Sequence, residues 1–484
     1  MSLNKKIVSG SFWSLIGSSG YQLSGLVIFI ILSRILSPID FGTAALAIVF
    51  VELTNVLVRF GLEQVIIRTI EVEEDFVQNN VFVATLLIGI VTSITFILTA
   101  PYIESFFSAP GLAISLQILS VVPVMQGLTT APNGILKRNF KFKALAVRLL
   151  ISSIIAGLVA IYLAYNGFGF YSLVVQKIIS ISLELFLVWK SIKWRPVIKL
   201  PYGHIISILR QGQPIVLSAL IGQGIFRFVE LIIGYFLGVA ALGSFKIAGK
   251  LLDVIVQFTI KPIVDVSFSA FSKLQDNPYK LEACFVQFIT TTGLFALPIF
   301  AGGYIIGSDM VYLIFGDKWA ESGLIFSILC LTGLSASFNY FFAPLCHSTH
   351  NSHIPFRLRI FEFIAVVFLV SIFSQYSIYH VAFSNVVTTS LITITMAIII
   401  KYKFKFSLNS IVKALLPSII SSLAMLLGLY LILNLFLQNS LPIEKIIYSI
   451  AVGCVIYSAV YRLLFPKHSS EMLSNIRNLI QKKK

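Results

Sequence analysis

The stretch "FKIAGKLLDVIVQFTIKPIVD", Phe245 to Asp265, decides the fold. Most of it is Ile, Val, Leu, Phe and Ala, the composition of a membrane span or a deep core. Yet Lys246, Lys250, Asp253, Gln257, Lys261 and Asp265 interrupt it at spacings of four, three, four, four and four. At about 100° per residue these six fall within about a third of a helix circumference, and Ser269 and Ser272 continue the line. A charge at mid-membrane costs several kcal/mol unless it faces a bundle interior or water. The stretch therefore predicts a membrane helix whose polar stripe looks inward, with a kink or break at Pro262.

The rest of the chain agrees with a membrane setting. Of 484 residues, 57% are hydrophobic and 12% charged, against roughly 25% charged in soluble domains; the mean hydropathy is +0.93. The apolar runs have the length of spanning helices rather than of barrel strands. About fourteen runs qualify: 10–33, 42–62, 81–101, 112–135, 144–165, 169–189, 213–238, 245–271, 284–307, 322–346, 355–374, 377–400, 411–437 and 444–465. The net charge of +16 sits mostly in alternate short connections, such as "LKRNFKFK" (136–143), "WKSIKWRPVIK" (189–199) and "KYKFK" (401–405). That bias predicts both termini in the cytoplasm and argues against a nucleic-acid partner. The first run is too long for a signal peptide and reads as an uncleaved first helix. The tail 469–484 reads as an amphipathic helix at the cytoplasmic surface.

Catalytic and metal signatures are missing from the sequence. There is no HExxH, P-loop or GxSxG in a suitable context, so the expectation is no enzyme. Cys284, Cys330, Cys346 and Cys454 show no paired spacing and read as small core hydrophobes. His347, His350 and His353 cannot all share one helix face, so no metal site is expected.

The chain repeats itself. "RILSPIDFGTAALA" (34–47) lies over "YFLGVAALGSFKIA" (235–248), placing Gly42 over Gly243, Ala47 over Ala248 and, in the same register, Gln22 over Gln223. "APNGILKRN" (131–139) matches "APLCHSTHN" (343–351). The expected organisation is a parallel repeat: six-helix bundles at 1–203 and 204–402, then two further helices and the tail at 403–484.

Polar stripes recur on the first two spans of each expected half. Ser14, Ser18 and Gln22 mark the first span; Glu52, Asn55 and Arg59 the second; Gln223, Arg227 and Glu230 the seventh. Spans three, nine, eleven and thirteen carry few or no charges by the same reading. Arg227 with Glu230, Lys250 with Asp253 and Lys261 with Asp265 stand three or four apart, so they are also candidates for pairs that merely join helices. Buried ion pairs are weak stabilisers, and Ser and Gly join helices with no charge to bury. A water-filled, partly cationic cavity accounts for the ensemble better. Arg and Lys there attract an anion, Arg fitting phosphate by its planar fork; the carboxylates suit proton or cation coupling.

Two stretches resemble a known family. "NKKIVSGSFWSLIGSSGYQLSGLVIFIILSRILSPIDFG" (4–42) and "LIIGYFLGVAALGSFKIAGKLL" (231–252) are similar to Wzx-type polysaccharide flippases of the multidrug/oligosaccharidyl-lipid/polysaccharide (MOP) exporter superfamily, nearest in appearance to the colanic acid and exopolysaccharide branch. The resemblance implies an all-α, bacterial inner-membrane protein with two six-helix bundles in a V shape and a C-terminal helix pair. It implies an undecaprenyl-diphosphate-linked oligosaccharide as cargo, with membrane lipids, a polysaccharide polymerase and a chain-length regulator as candidate partners. By that likeness Arg59, Arg227, Lys250 and Lys261 would meet the diphosphate, with Arg34 near the outer rim. Gln22, Glu52, Asn55, Gln223, Glu230, Asp253, Gln257 and Asp265 would line the cavity or serve coupling. No cofactor is expected beyond a coupling H+ or Na+. The rivals are a multidrug antiporter of the same superfamily, which favours an acidic cavity, and a membrane-embedded polysaccharide polymerase, which calls for a large periplasmic loop.

Overall fold

The computed structural model describes residues 3–68, 74–197, 202–438 and 440–466; the tail 469–484 lies outside them. Among the described residues every regular element is helical. In chain order the helices are α1 Leu3–Ile35, α2 Pro38–Arg59, α3 Leu62–Arg68, α4 Glu74–Phe107, α5 Leu112–Leu119, α6 Val121–Arg138, α7 Phe142–Tyr165, α8 Tyr171–Ser191 and α9 Tyr202–Phe236. They continue with α10 Gly238–Thr259, α11 Lys261–Leu274, α12 Pro278–Phe315, α13 Ala320–Cys330, α14 Gly333–Asn339 and α15 Phe342–Ser348. The last are α16 His353–Phe373, α17 Ile378–Ile399, α18 Leu408–Phe436 and α19 Pro442–Leu464.

All fourteen expected spans are helical. Among the described residues ten segments are long and apolar enough to cross a membrane, and eleven if the pair meeting at a 52° bend, Asp317–Cys330 and Gly333–Ser348, is one span. Three ionisable residues each keep α10 (Lys246, Lys250, Asp253) and α16 (Arg357, Arg359, Glu362) outside that set. The charge on α16 corrects the expectation that the eleventh span is nearly uncharged.

The opening stretch is not one helix. α10 ends at Thr259, buried Ile260 forms the joint, and Pro262 sits in the first turn of α11. Proline lacks the N–H that a continuing helix needs, whereas the first turn of a new helix does not use one. The second span breaks as well, which its apolar run did not announce. Phe60 (φ 43°) and Gly61 (φ 64°) turn left-handed between α2 and α3. Spans four and ten are likewise divided, at Ser120 and at Leu331–Thr332.

The chain falls into two compact units, Met1–Gly243 and Ser244–Lys484. α9 belongs with the first because it packs on α2, α3 and α4. In that unit the sequence "SPID" fixes the start of α2. Ser37 and Asp40 form a reciprocal capping box, the Ser37 N–H donating to Asp40 Oδ2 at 3.0 Å and the Asp40 N–H to Ser37 Oγ at 3.2 Å. Asp40 Oδ1 also accepts the N–H of Phe170 at 3.0 Å, tying α2 to the loop before α8. The matched glycines of the repeat meet here. A Cβ on Gly42 would strike the carbonyl oxygen of Val239, and one on Gly243 would strike that of Pro38. Val239 stands over Pro38 in the repeat register, so the contact is reciprocal. Near the basic connections an apolar cluster of Leu62, Ile66, Val81, Phe82, Leu136 and Val188 closes the unit, with Trp189 and Trp194 packed on it.

In the second unit the matching cluster is phenylalanine-rich: Phe271, Phe285, Phe338, Phe341, Phe342 and Phe406. The C-terminal pair α18 and α19 packs on α12. α12 holds Pro298 in its interior, which leaves the carbonyl four residues back, on Leu294, without its helical donor. The hydroxyl of Tyr457 on α19 donates to that carbonyl at 2.9 Å.

Candidate functional site: paired charges at membrane depth

The first unit gathers its charges on α2, α7, α8 and α9. Glu52 stands near the middle of the apolar segment Pro38–Arg68. Its Oε1 lies 2.5 Å from Nζ of Lys177 on α8, with the side chains 20% and 26% exposed. Arg227 and Glu230, one turn apart on α9, pair at 3.0 Å, and Arg227 is within electrostatic reach of Glu52. Tyr21 on α1 lies within reach of Lys177, Glu184 and Glu52. Asn55 is one turn further along α2, its Oδ1 buried and without a hydrogen bond among the described residues. Arg59 ends α2, where a cation is favoured by the helix dipole, and lies within reach of buried Arg148 on α7. Arg148 donates to Asn133 Oδ1 at 2.5 Å. Beyond it, Glu63 on α3 pairs with Lys137 on α6 at 2.9 Å.

These groups form a chain of neighbouring charges in which every acid is within reach of a base and the cations Arg59 and Arg148 are neighbours. Glu52, Lys177, Arg227 and Arg59 are half-buried, whereas Glu63, Arg148 and Glu230 are buried. Gln22 and Gln223 are exposed, as is Arg34 in the last turn of α1. The side chains of Ser14 and Ser18 lie outside the described residues.

In the second unit the polar stripe of Lys246 to Asp265 is largely solvent-accessible. Lys246 and Lys250 are half-buried; Asp253, Gln257, Lys261 and Asp265 are exposed. The break at Ile260 divides it, leaving Lys250 and Asp253 on α10 and Lys261 and Asp265 on α11. Lys261 and Asp265 lie 3.8 Å apart with both side chains more than half exposed, so this pair contributes little. Arg359 and Glu362 on α16 pair at 2.8 Å; both, and Asp253, are within electrostatic reach of Tyr340, between α14 and α15.

Seven charged residues of the two sites escaped the sequence reading: Lys177, Glu184, Arg148, Lys137, Glu63, Arg359 and Glu362. Lys177, Ser180 and Glu184 stand at i, i+3 and i+7 on α8, a stripe visible in principle. Arg148 has no such company; its partners come from other helices. His347 Nδ1 lies 2.9 Å from Ser352 Oγ, and the described residues hold no group of three His, Cys, Asp or Glu placed to bind a metal.

Apolar helices of spanning length, with part-buried charge pairs among them, mark a polytopic membrane protein. Within that class the chain belongs to the polysaccharide biosynthesis protein family, whose profile matches residues 31–323. It is 24% identical over 369 residues to the lipopolysaccharide biosynthesis protein WzxC of Escherichia coli K12, covering 75% of this chain and 74% of that one. Its fold is similar to an inward closed conformation of the lipid II flippase MurJ, with TM-score 0.75 and 17% identity over 94% of this chain and 98% of the other. An inward-facing MATE-family multidrug resistance transporter of the MOP superfamily matches with TM-score 0.62 and 17% identity, over 81% and 98%. The expected resemblance and the all-α class are thus borne out, and the chain is a multi-pass protein of the bacterial inner membrane.

Proposed function

We propose that this protein flips an undecaprenyl-diphosphate-linked oligosaccharide from the cytoplasmic to the periplasmic leaflet, for assembly of a surface polysaccharide. The carrying observation is the set of cations at membrane depth on a polysaccharide biosynthesis family chain: Lys177 and Arg227 at half-buried positions, with Arg59 at the end of α2. A diphosphate is the part of such a cargo that cannot cross hydrocarbon, and cations exposed to water inside the bilayer offset its desolvation. The prenyl tail stays in the bilayer. Alternating access moves the head group; Lys250 and Lys261 extend the cationic path along α10 and α11, and a proton or Na+ engaging Glu52, Glu230, Asp253 or Asp265 lowers affinity for release.

The fold is shared with a multidrug transporter, so fold alone does not choose the cargo. Charge favours the flippase reading: organic cations suit an acidic cavity, and here bases match acids. The test follows lipid-linked oligosaccharide by leaflet in a strain lacking the gene. Accumulation on the cytoplasmic side, reversed by the restored gene, is the expected result. An unchanged leaflet distribution with altered drug tolerance refutes the reading.

A further inference from the structure

The geometry points to Lys177 as a diphosphate-binding residue whose resting counter-ion, Glu52, is displaced by the incoming anion. This rests on the lipid-diphosphate reading above and names the group of the first unit that meets the cargo. The local charge is the first observation. Glu52, Lys177, Arg227 and Glu230 are two acids and two bases, and a neutral site does not concentrate an anion. It binds one when a base changes partner.

Geometry selects which base. Arg227 pairs with Glu230 one turn along its own helix, so both are held by the same backbone. Lys177 and Glu52 come from different helices, α8 and α2. An ammonium on a four-carbon stem can swing away from its carboxylate, being a point charge with no fixed fork to align. The two side chains are 26% and 20% exposed, so the pair is not sealed inside the helix packing.

The cost of the exchange is also limited by neighbours. Stripping a buried carboxylate of its partner is strongly unfavourable. Glu52 keeps Arg227 within electrostatic reach when Lys177 turns away, and Tyr21 is close to both members of the pair. The same competition serves release. Glu52 reclaims Lys177 as the diphosphate leaves, so the protein carries its own competitor and affinity stays low enough for turnover. A pair that merely glues α2 to α8 has no such consequence.

The two readings differ in sign. Geranyl diphosphate is titrated against the purified full chain in detergent, as wild type, Glu52→Gln and Lys177→Met. Counter-ion exchange predicts that Glu52→Gln binds about fivefold tighter, that Lys177→Met binds about thirtyfold weaker, and that the double variant follows Lys177→Met. Both single variants should slow flipping, one by poor capture and one by poor release. Should Lys177→Met not fold, Lys177→Gln carries the same test. Equal or weaker binding by a folded Glu52→Gln, or unchanged binding by the Lys177 variant, overturns the exchange. If wild type binds no geranyl diphosphate at all, the lipid-diphosphate reading falls with it; if wild type binds and both variants shift together, the exchange alone falls.

Discussion

Removing the Tyr457 hydroxyl should loosen the hold of the C-terminal helix pair on α12, and by an amount set by a proline. Tyr457 donates at 2.9 Å to the Leu294 carbonyl, which Pro298 leaves without a helical donor. Tyr457→Phe keeps the ring and its packing and strands a buried acceptor, at a cost of about 1–2 kcal/mol. For a unit of this size that corresponds to an unfolding midpoint about 2–4 °C lower, read by intrinsic fluorescence on purified protein in detergent. The decisive comparison is with Pro298→Ala, which restores an N–H facing the same carbonyl. In that background Tyr457→Phe should cost about 0.5 kcal/mol or less, giving a coupling of about 1 kcal/mol. An equal cost in both backgrounds would show that the hydroxyl does not serve the kink, and the reasoning would be wrong.

Two other outcomes follow from close geometry. Asp40→Ala removes a capping box and the acceptor for Phe170, so it should destabilise by about 1–2 kcal/mol and speed amide exchange at Phe170 and in the first turn of α2. Gly243→Ala forces a methyl against the Pro38 carbonyl, where backbone cannot rotate away; a loss of about 1–3 kcal/mol is expected in thermal unfolding. Gly249→Ala on the same helix meets nothing within 4 Å and should be neutral or stabilising by up to about 1 kcal/mol.

Local features of this protein are legible in its sequence because each is decided within a few residues. The break of the 245–271 run follows from Pro262, and the Gly42 and Gly243 match comes from a register visible in the chain. The glycine-tolerant turn at Phe60–Gly61 is hidden because Phe in a left-handed conformation has no sequence signature. Site residues divide the same way. Arg227 and Glu230 are neighbours on one helix, so their pairing is readable. Lys177 finds Glu52 across 125 residues, and Arg148 meets Asn133 on another helix; helical phasing shows which face a side chain shares, not which foreign side chain stands opposite. Exposure of the Asp253 to Asp265 stripe is tertiary too, since periodicity separates polar from apolar faces without saying what lies against each.

The reciprocal contact of Gly42 with Val239 and of Gly243 with Pro38 has the form of a symmetric dimer interface, in which each copy offers the same surface. In a true homodimer one codon would serve both contacts, and any change would be felt twice at once. Joined in a single chain, the two contacts have separate codons and can drift apart one at a time. The two already differ in their surroundings: the carbonyl facing one glycine comes from a proline inside a capped helix start, the other from a valine just after a glycine. The glycines, which have no smaller residue to become, are what the two halves of the contact share.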